Sequence, residues 1–130
     1  MVWDWRIHLN QKTWDLLQKV QAQVNNKVKY KKDIDNYGKS DYWAVALNNL
    51  GDCEDYALAK QKTLKAKGIE SWLALCWIKT NRYHAVVIVR TDKGDMVLDN
   101  RYYDVRPARE LKYRWHKIER PGGKWCKLSL

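Results

Sequence analysis

The feature that most limits what this chain can fold into is a change of hydrophobic period at Gly68. Before it, apolar residues recur every three or four positions, as on the buried stripe of a helix; after it they come in short extended runs, as in strands. Trp14, Leu17, Val20, Val24 and Val28 make the first stripe and predict a helix over about 11–28. Residues 29–40 are polar and contain Asp35-Asn36-Tyr37-Gly38, which predicts a turn-rich connection. Asp41 is placed to cap a second, short helix carrying Tyr42, Trp43, Val45, Ala46 and Leu50. Gly51-Asp52 interrupts that helix and opens a third over about 53–67, with Cys53, Tyr56, Ala57, Lys60 and Leu64 recurring along one face. Gly68 closes it as a left-handed C-terminal cap.

Beyond Gly68, residues 72–78, 84–90 and 96–99 read as strands, with Thr91-Asp92-Lys93-Gly94 as the hairpin turn between the last two. Residues 113–118 and 125–128 are further strands, separated by Pro121-Gly122-Gly123. Helices first and an antiparallel sheet after them is the order of an α+β domain. With 130 residues, no repeat and no linker, one domain over 1–130 is the expectation.

Composition narrows the function classes. At 45% hydrophobic and 12% aromatic the chain is too apolar for wholesale disorder, and no run of about 20 apolar residues is available to cross a bilayer. The start, Met1-Val2-Trp3-Asp4-Trp5-Arg6, lacks the order of a secretory signal, so a cytoplasmic location is expected. Cys53, Cys76 and Cys126 are odd in number and widely spaced, which argues against a disulfide framework or a zinc site. Cys76 and Cys126 read as structural. The formal net charge is +10, and residues 101–130 hold nine Lys/Arg against three acids. Lys27, Lys29, Lys31 and Lys32 form a second basic run, so a nucleic acid or an acidic protein is an expected partner, against the plainer reading of a solvated face.

The segment that carries chemistry is Gly51-Asp52-Cys53-Glu54-Asp55-Tyr56-Ala57. It places a thiol in the first turn of a helix, where unpaired N–H groups and the macrodipole favour an anion and can also receive an oxyanion. A nucleophilic thiol needs a base, and His84 opens an apolar strand, an awkward place for an imidazole unless its ring serves a site. Asp99, ending the next strand, is the leading residue to orient that imidazole, with Asp104 as the fallback. The register is a difficulty: with Lys93-Gly94 central in the turn, Asp99 faces Ile88 and His84 faces Tyr103. The pair therefore needs a turn nearer Thr91-Asp92, or a bulge at Gly94.

Asp41-Tyr42-Trp43-Ala44, the string from Gly51 to Lys60, His84-Ala85-Val86-Val87 and Val97-Leu98-Asp99-Asn100 together resemble the LapG-like bacterial transglutaminase-like cysteine proteinases. The resemblance covers about residues 10–107. It implies a papain/transglutaminase-like fold with Cys53 as nucleophile, His84 as general base and acid, Asp99 as orienter and the Cys53 N–H in the oxyanion hole. It also implies Trp43 lining the substrate groove. Some members bind calcium through acids flanking the cysteine, here Asp52, Glu54 and Asp55; the chemistry itself requires no cofactor. Hard carboxylate oxygens suit that ion. A chain this short and basic, without a signal, resembles the stand-alone members found in phage genomes more than the exported adhesin-cleaving ones.

The resulting expectation is a cysteine-dependent acyl-transfer enzyme, in first place a peptidase, with a protein or peptide substrate and no membrane. Three alternatives stand beside it: a transglutaminase or amidase using the same triad, a basic binding module for nucleic acid or an acidic protein on an unused scaffold, and an inactive relative that binds a peptide or docks as an inhibitor.

Overall fold

The first helix begins, and the second ends, at a cap that the local sequence supplies. In the computed structural model, which describes residues 6–35, 49–78, 82–120 and 124–128, the first helix α1 spans Gln11–Asp35. Asn10 caps it: its side-chain Oδ1 accepts from the Thr13 N–H at 2.8 Å and its carbonyl from the Trp14 N–H at 2.9 Å. Leu17, Val20, Gln21 and Val24 make its buried face. The helix runs seven residues past the expected end at 28, because Lys29, Lys31 and Lys32 are good helix formers and the turn-forming Asn36-Tyr37-Gly38 follows only after Asp35. The short helix expected from Asp41, with Trp43 on it, lies outside the described residues.

The second helix, α2, spans Asn49–Ala66. It contains Gly51-Asp52 rather than starting after them, so the break expected there does not occur. Its C-terminus is a Schellman motif: the Ile69 N–H bonds the Leu64 carbonyl at 2.9 Å, the Gly68 N–H bonds the Lys65 carbonyl at 3.0 Å, and Gly68 takes φ +79°. Leu64 and Ile69 are both buried in the same core, which is the apolar contact that accompanies this cap.

Six antiparallel strands follow: β1 (Trp72–Ile78), β2 (Arg82–Thr91), β3 (Gly94–Leu98), β4 (Arg106–Pro107), β5 (Arg114–Arg120) and β6 (Lys124–Lys127), in the spatial order β4-β3-β2-β1-β5-β6. The arrangement is α+β, with the two helices packed on one sheet. The two-residue strand β4 was not expected, since two residues carry no period. Val87, Val89, Met96 and Leu98 face the helices and pack with Leu17, Val20, Val24, Ala57 and Leu64. Ala74, Val86, Ile88, Val97 and Ile118 line the opposite face, beneath Ala108, Leu111 and Tyr113 from the stretch between β4 and β5. Alternate residues of one strand thus feed two cores.

The β2–β3 hairpin sets the position of the site. Thr91 pairs with Gly94, so Asp92-Lys93 are the central turn residues, and the printed pairs run without a shift to Val87–Leu98. The turn falls one residue earlier than Lys93-Gly94, and no bulge is needed. The Thr91 hydroxyl bonds the Gly94 carbonyl at 2.6 Å and receives the Lys93 N–H at 3.1 Å, which fixes the turn. Strand β3 stops at Leu98, whereas β2 extends on to Arg82. Beside residues 82–86 of β2 the sheet therefore has room on the β3 side.

Candidate active site

The room left by β3 is filled by α2. Cys53, on the helix face that carries Ala57 and Leu64 into the core, brings its thiol against β2, and its Sγ accepts the Ala85 N–H at 3.2 Å. Ala85 lies beyond the last β2–β3 pair, so this N–H has the sulfur as its acceptor. Cys53 is the fifth residue of α2 rather than its first. It lies about one turn into the helix as described.

His84 sits next to Ala85 on β2 and is 4% exposed. Its Nε2 lies 2.7 Å from Asp99 Oδ1, and the ring is also hydrogen-bonded to the Cys53 side chain. With Nε2 held by the carboxylate, Nδ1 is the nitrogen left for the sulfur. Asp99, 2% exposed, is the first residue after β3. Continuing the hairpin register would set it opposite Val86, two residues from His84, and diagonal neighbours at that offset are within reach of long side chains. The fallback residue, Asp104, lies elsewhere: its carboxylate accepts from Arg106 Nε at 3.2 Å.

Three further groups hold Asp99, none of which the sequence signalled. The Arg101 N–H donates to Oδ1 at 2.9 Å, and the Tyr113 hydroxyl donates to Oδ2. From α1, the buried Gln21 donates through Nε2 to the Asp99 carbonyl at 2.8 Å and to the Tyr102 carbonyl at 2.9 Å. Every oxygen of Asp99 is thus occupied, and its position is set from three parts of the chain.

Electrostatics follow from this geometry. Burial pushes the Asp99 carboxyl up, but the hydrogen bonds and charge of His84, with the Tyr113 hydroxyl and the Arg101 N–H, hold it below the usual carboxylate range. Burial works against a charged His84; hydrogen bonds and charge from Asp99 and Cys53 outweigh it and raise the imidazole to about 9. Burial and the neighbouring Asp99 carboxylate push the Tyr113 phenol well up, so it remains a donor. By contrast Cys76, fully buried on β1, is pushed up to about 12, mainly by burial, and is an inert thiol. The remaining cysteine, Cys126, is half-buried, and all three cysteines are free.

The chain matches the family model of the bacterial transglutaminase-like cysteine proteinases, BTLCP, over residues 3–129. The chain belongs to that family. No curated protein sequence matches it. Transglutaminase-like cysteine proteinases are cysteine peptidase-like hydrolases, and the α+β arrangement of two helices on a six-stranded antiparallel sheet fits this membership.

Two further site expectations meet the structure differently. Trp43 lies outside the described residues. The calcium set, Asp52, Glu54 and Asp55, falls within α2, where positions three apart share a side and positions one or two apart do not. The side chain of Asp52 lies outside the described residues. Among the described residues, no group of three His, Cys, Asp or Glu side chains is placed to hold a metal. No step below is routed through calcium. No helix among the described residues is long and apolar enough to cross a membrane.

Proposed function

We propose that this transglutaminase-like cysteine proteinase cleaves peptide bonds through an acyl-enzyme on Cys53, with His84 as proton carrier and Asp99 as its orienting anion. The observation that carries the reading is the single hydrogen-bonded line from the Cys53 thiol through His84 to the buried Asp99 carboxylate. An imidazole raised to about 9 is protonated at neutral pH, which sets a proton donor and a positive charge beside the Cys53 sulfur.

In the first half-reaction Sγ attacks the scissile carbonyl carbon, the carbonyl π electrons move to oxygen, and the tetrahedral adduct collapses as His84 gives its proton to the leaving amine. A thioester on Cys53 remains. In the second half, neutral His84 takes a proton from water, the hydroxide equivalent attacks the thioester, and the acid product leaves as the sulfur is restored. Asp99 stays ionised throughout and stabilises the imidazolium formed in each half. An amine in place of water would make the same acyl-enzyme a transglutaminase, and the two outcomes are separated by product analysis.

A polyanion-binding use of the basic surface is less well supported. Arg114 Cζ lies 4.6 Å from the Trp77 ring centre and Lys117 Nζ 5.4 Å from that of Trp125, so these aromatic faces are already covered by cations where a nucleic acid would stack its bases.

The test needs no substrate: iodoacetamide labelling of each cysteine is followed by mass spectrometry against pH, in wild type and His84→Ala. The expected result is rapid labelling of Cys53 near pH 6, lost in the variant. Labelling of Cys53 no faster than an ordinary thiol of pKa about 8.5, unchanged in His84→Ala, would sink the reading.

A further inference from the structure

Next to the proposed catalytic array, on the side of Asp99 occupied by Arg101 and Tyr113, the surface opens into a cleft of about 450 Å³ lined by Ile78, Arg101, Tyr102, Glu110, Lys112 and Tyr113. The phenol that holds Asp99 lines it, and among the described lining residues two cations stand against one carboxylate. The volume is that of a site for a side chain or a short stretch of peptide.

Arg101 is the residue that gives the cleft its chemistry. Its guanidinium lies 5.8 Å from the ring centres of both Tyr102 and Tyr113, within reach of both aromatic rings. NH1 donates to the Tyr113 hydroxyl at 3.0 Å, and among the described residues the guanidinium makes no ion pair. Four of its five N–H donors therefore have no partner among the described residues, in a fork that matches a carboxylate. Lys112, exposed on the same cleft, likewise has no acidic partner among the described residues.

We infer that this cleft is a subsite for an acidic side chain of the peptide substrate, with Arg101 taking the carboxylate and Lys112 adding charge. The inference rests on the peptidase reading above. A carboxylate on the guanidinium fork is the charge-assisted, bidentate arrangement that gives both strength and orientation. It also reaches the reacting groups. The Arg101 backbone N–H donates to Asp99 Oδ1 at 2.9 Å, and its guanidinium reaches Oδ2 by way of the Tyr113 hydroxyl, so a ligand on the guanidinium bears on the phenol that holds the carboxylate behind His84. Glu110 lines the same cleft and is outnumbered by the two cations.

Two sets of peptide affinity labels test this without knowledge of the cleavage sequence: N-iodoacetyl peptides, which extend to one side of Cys53, and peptide chloromethyl ketones, which extend to the other. Each set carries Glu, Gln or Lys at one of three positions, and labelling of Cys53 is timed by mass spectrometry. At one position Glu is expected to label about tenfold faster than Gln, with Lys slower than Gln, the size expected of one charge-assisted bond. The Glu-to-Gln ratio should fall toward one in Arg101→Gln, fall partway in Lys112→Gln, and shrink with added salt. The use of a ratio within each variant removes any general loss of reactivity from disturbing Asp99. A ratio near one at every position in wild type, or an acidic preference that persists in Arg101→Gln, overturns the subsite while leaving the peptidase reading intact. Plain iodoacetamide run alongside distinguishes the other failure: Cys53 labelling no faster than Cys126, and independent of His84, overturns the peptidase reading and the subsite with it.

Discussion

Asp99 is held by two kinds of bond, and substitutions separate them. Asp99→Asn keeps the shape but removes the anion that stabilises the imidazolium and sets its tautomer, so peptide cleavage should fall by about 10²–10⁴-fold, measured as kcat/KM. Tyr113→Phe removes one hydrogen bond that lowers the Asp99 carboxyl. The low-pH limb of Cys53 alkylation should move to higher pH in this variant, since Asp99 is then protonated more readily, and the rate near neutrality should drop about tenfold. Cys53, His84 and Asp99 were legible because their residue types and order are unusual together. Tyr113, Gln21 and Arg101 were not, because an isolated Tyr, Gln or Arg carries no sign of which carboxylate or carbonyl the fold will bring to it. Lys60 belongs to the same class: a helical period places it on a buried face, and only the fold shows its side chain 0% exposed with no hydrogen-bond partner for Nζ among the described residues. Burial lowers its amine to about 7, against a smaller opposing effect of Asp99.

At the level of the elements, the punctuation was easier to read than the extent. Gly68 was recognisable as the end of α2 because its neighbours supply the rest of a Schellman motif; a Cβ there meets no atom within 4 Å, so its requirement is the positive φ alone. Gly68→Ala should therefore destabilise the fold by about 1–2 kcal/mol in chemical denaturation, with Cys53 reactivity retained below the transition. The start of α2 was misplaced by four residues, because Gly51 reads locally as a breaker and a single glycine costs only about 1 kcal/mol inside a helix that packing stabilises. The hairpin turn was misplaced by one residue for a similar reason. Gly94 suits a turn centre by propensity, yet it sits at the first position of β3 with φ +108°, and the Thr91 hydroxyl closes the turn through side-chain bonds that propensity does not count.

For the whole molecule, two buried bases pull stability in opposite directions with pH. His84 is raised from 6.5 to about 9, so its contribution is fully present below pH 6.5 and is lost as pH rises through 9. Lys60 is lowered from 10.5 to about 7: the folded state binds fewer protons than the unfolded between these values, and stability rises with pH across that window. Between pH 7 and 9 the slopes oppose each other at about 1.4 kcal/mol per pH unit each. Wild-type stability should accordingly be nearly flat there. Lys60→Met removes the rising limb, so the variant should be more stable than wild type at pH 6, by about 2 kcal/mol or more, and should lose that advantage steadily toward pH 9. Urea titrations of both proteins at pH 6, 7, 8 and 9 check this, and parallel curves would refute it. The fold class was legible from the change of period at Gly68, since local periodicity decides helix or strand; the two-residue β4 and the pairing of β5 with β1 were not, since pairing across the sheet is a property of the assembled chain.

The separation of the reacting groups along the chain has a consequence for synthesis. Cys53 reaches His84 only when α2 has docked on β2, and Asp99 Oδ2 gains its phenol only when Tyr113, at the threshold of β5, has been made and has folded back over the sheet. A nascent chain that ends just after Asp99 contains the proposed nucleophile, base and acid but lacks the phenol that bonds the acid. Long-range antiparallel pairing is the slow part of folding. Until it is complete the proposed triad is unassembled, so a chain still being made is expected to lack the activity of the folded one.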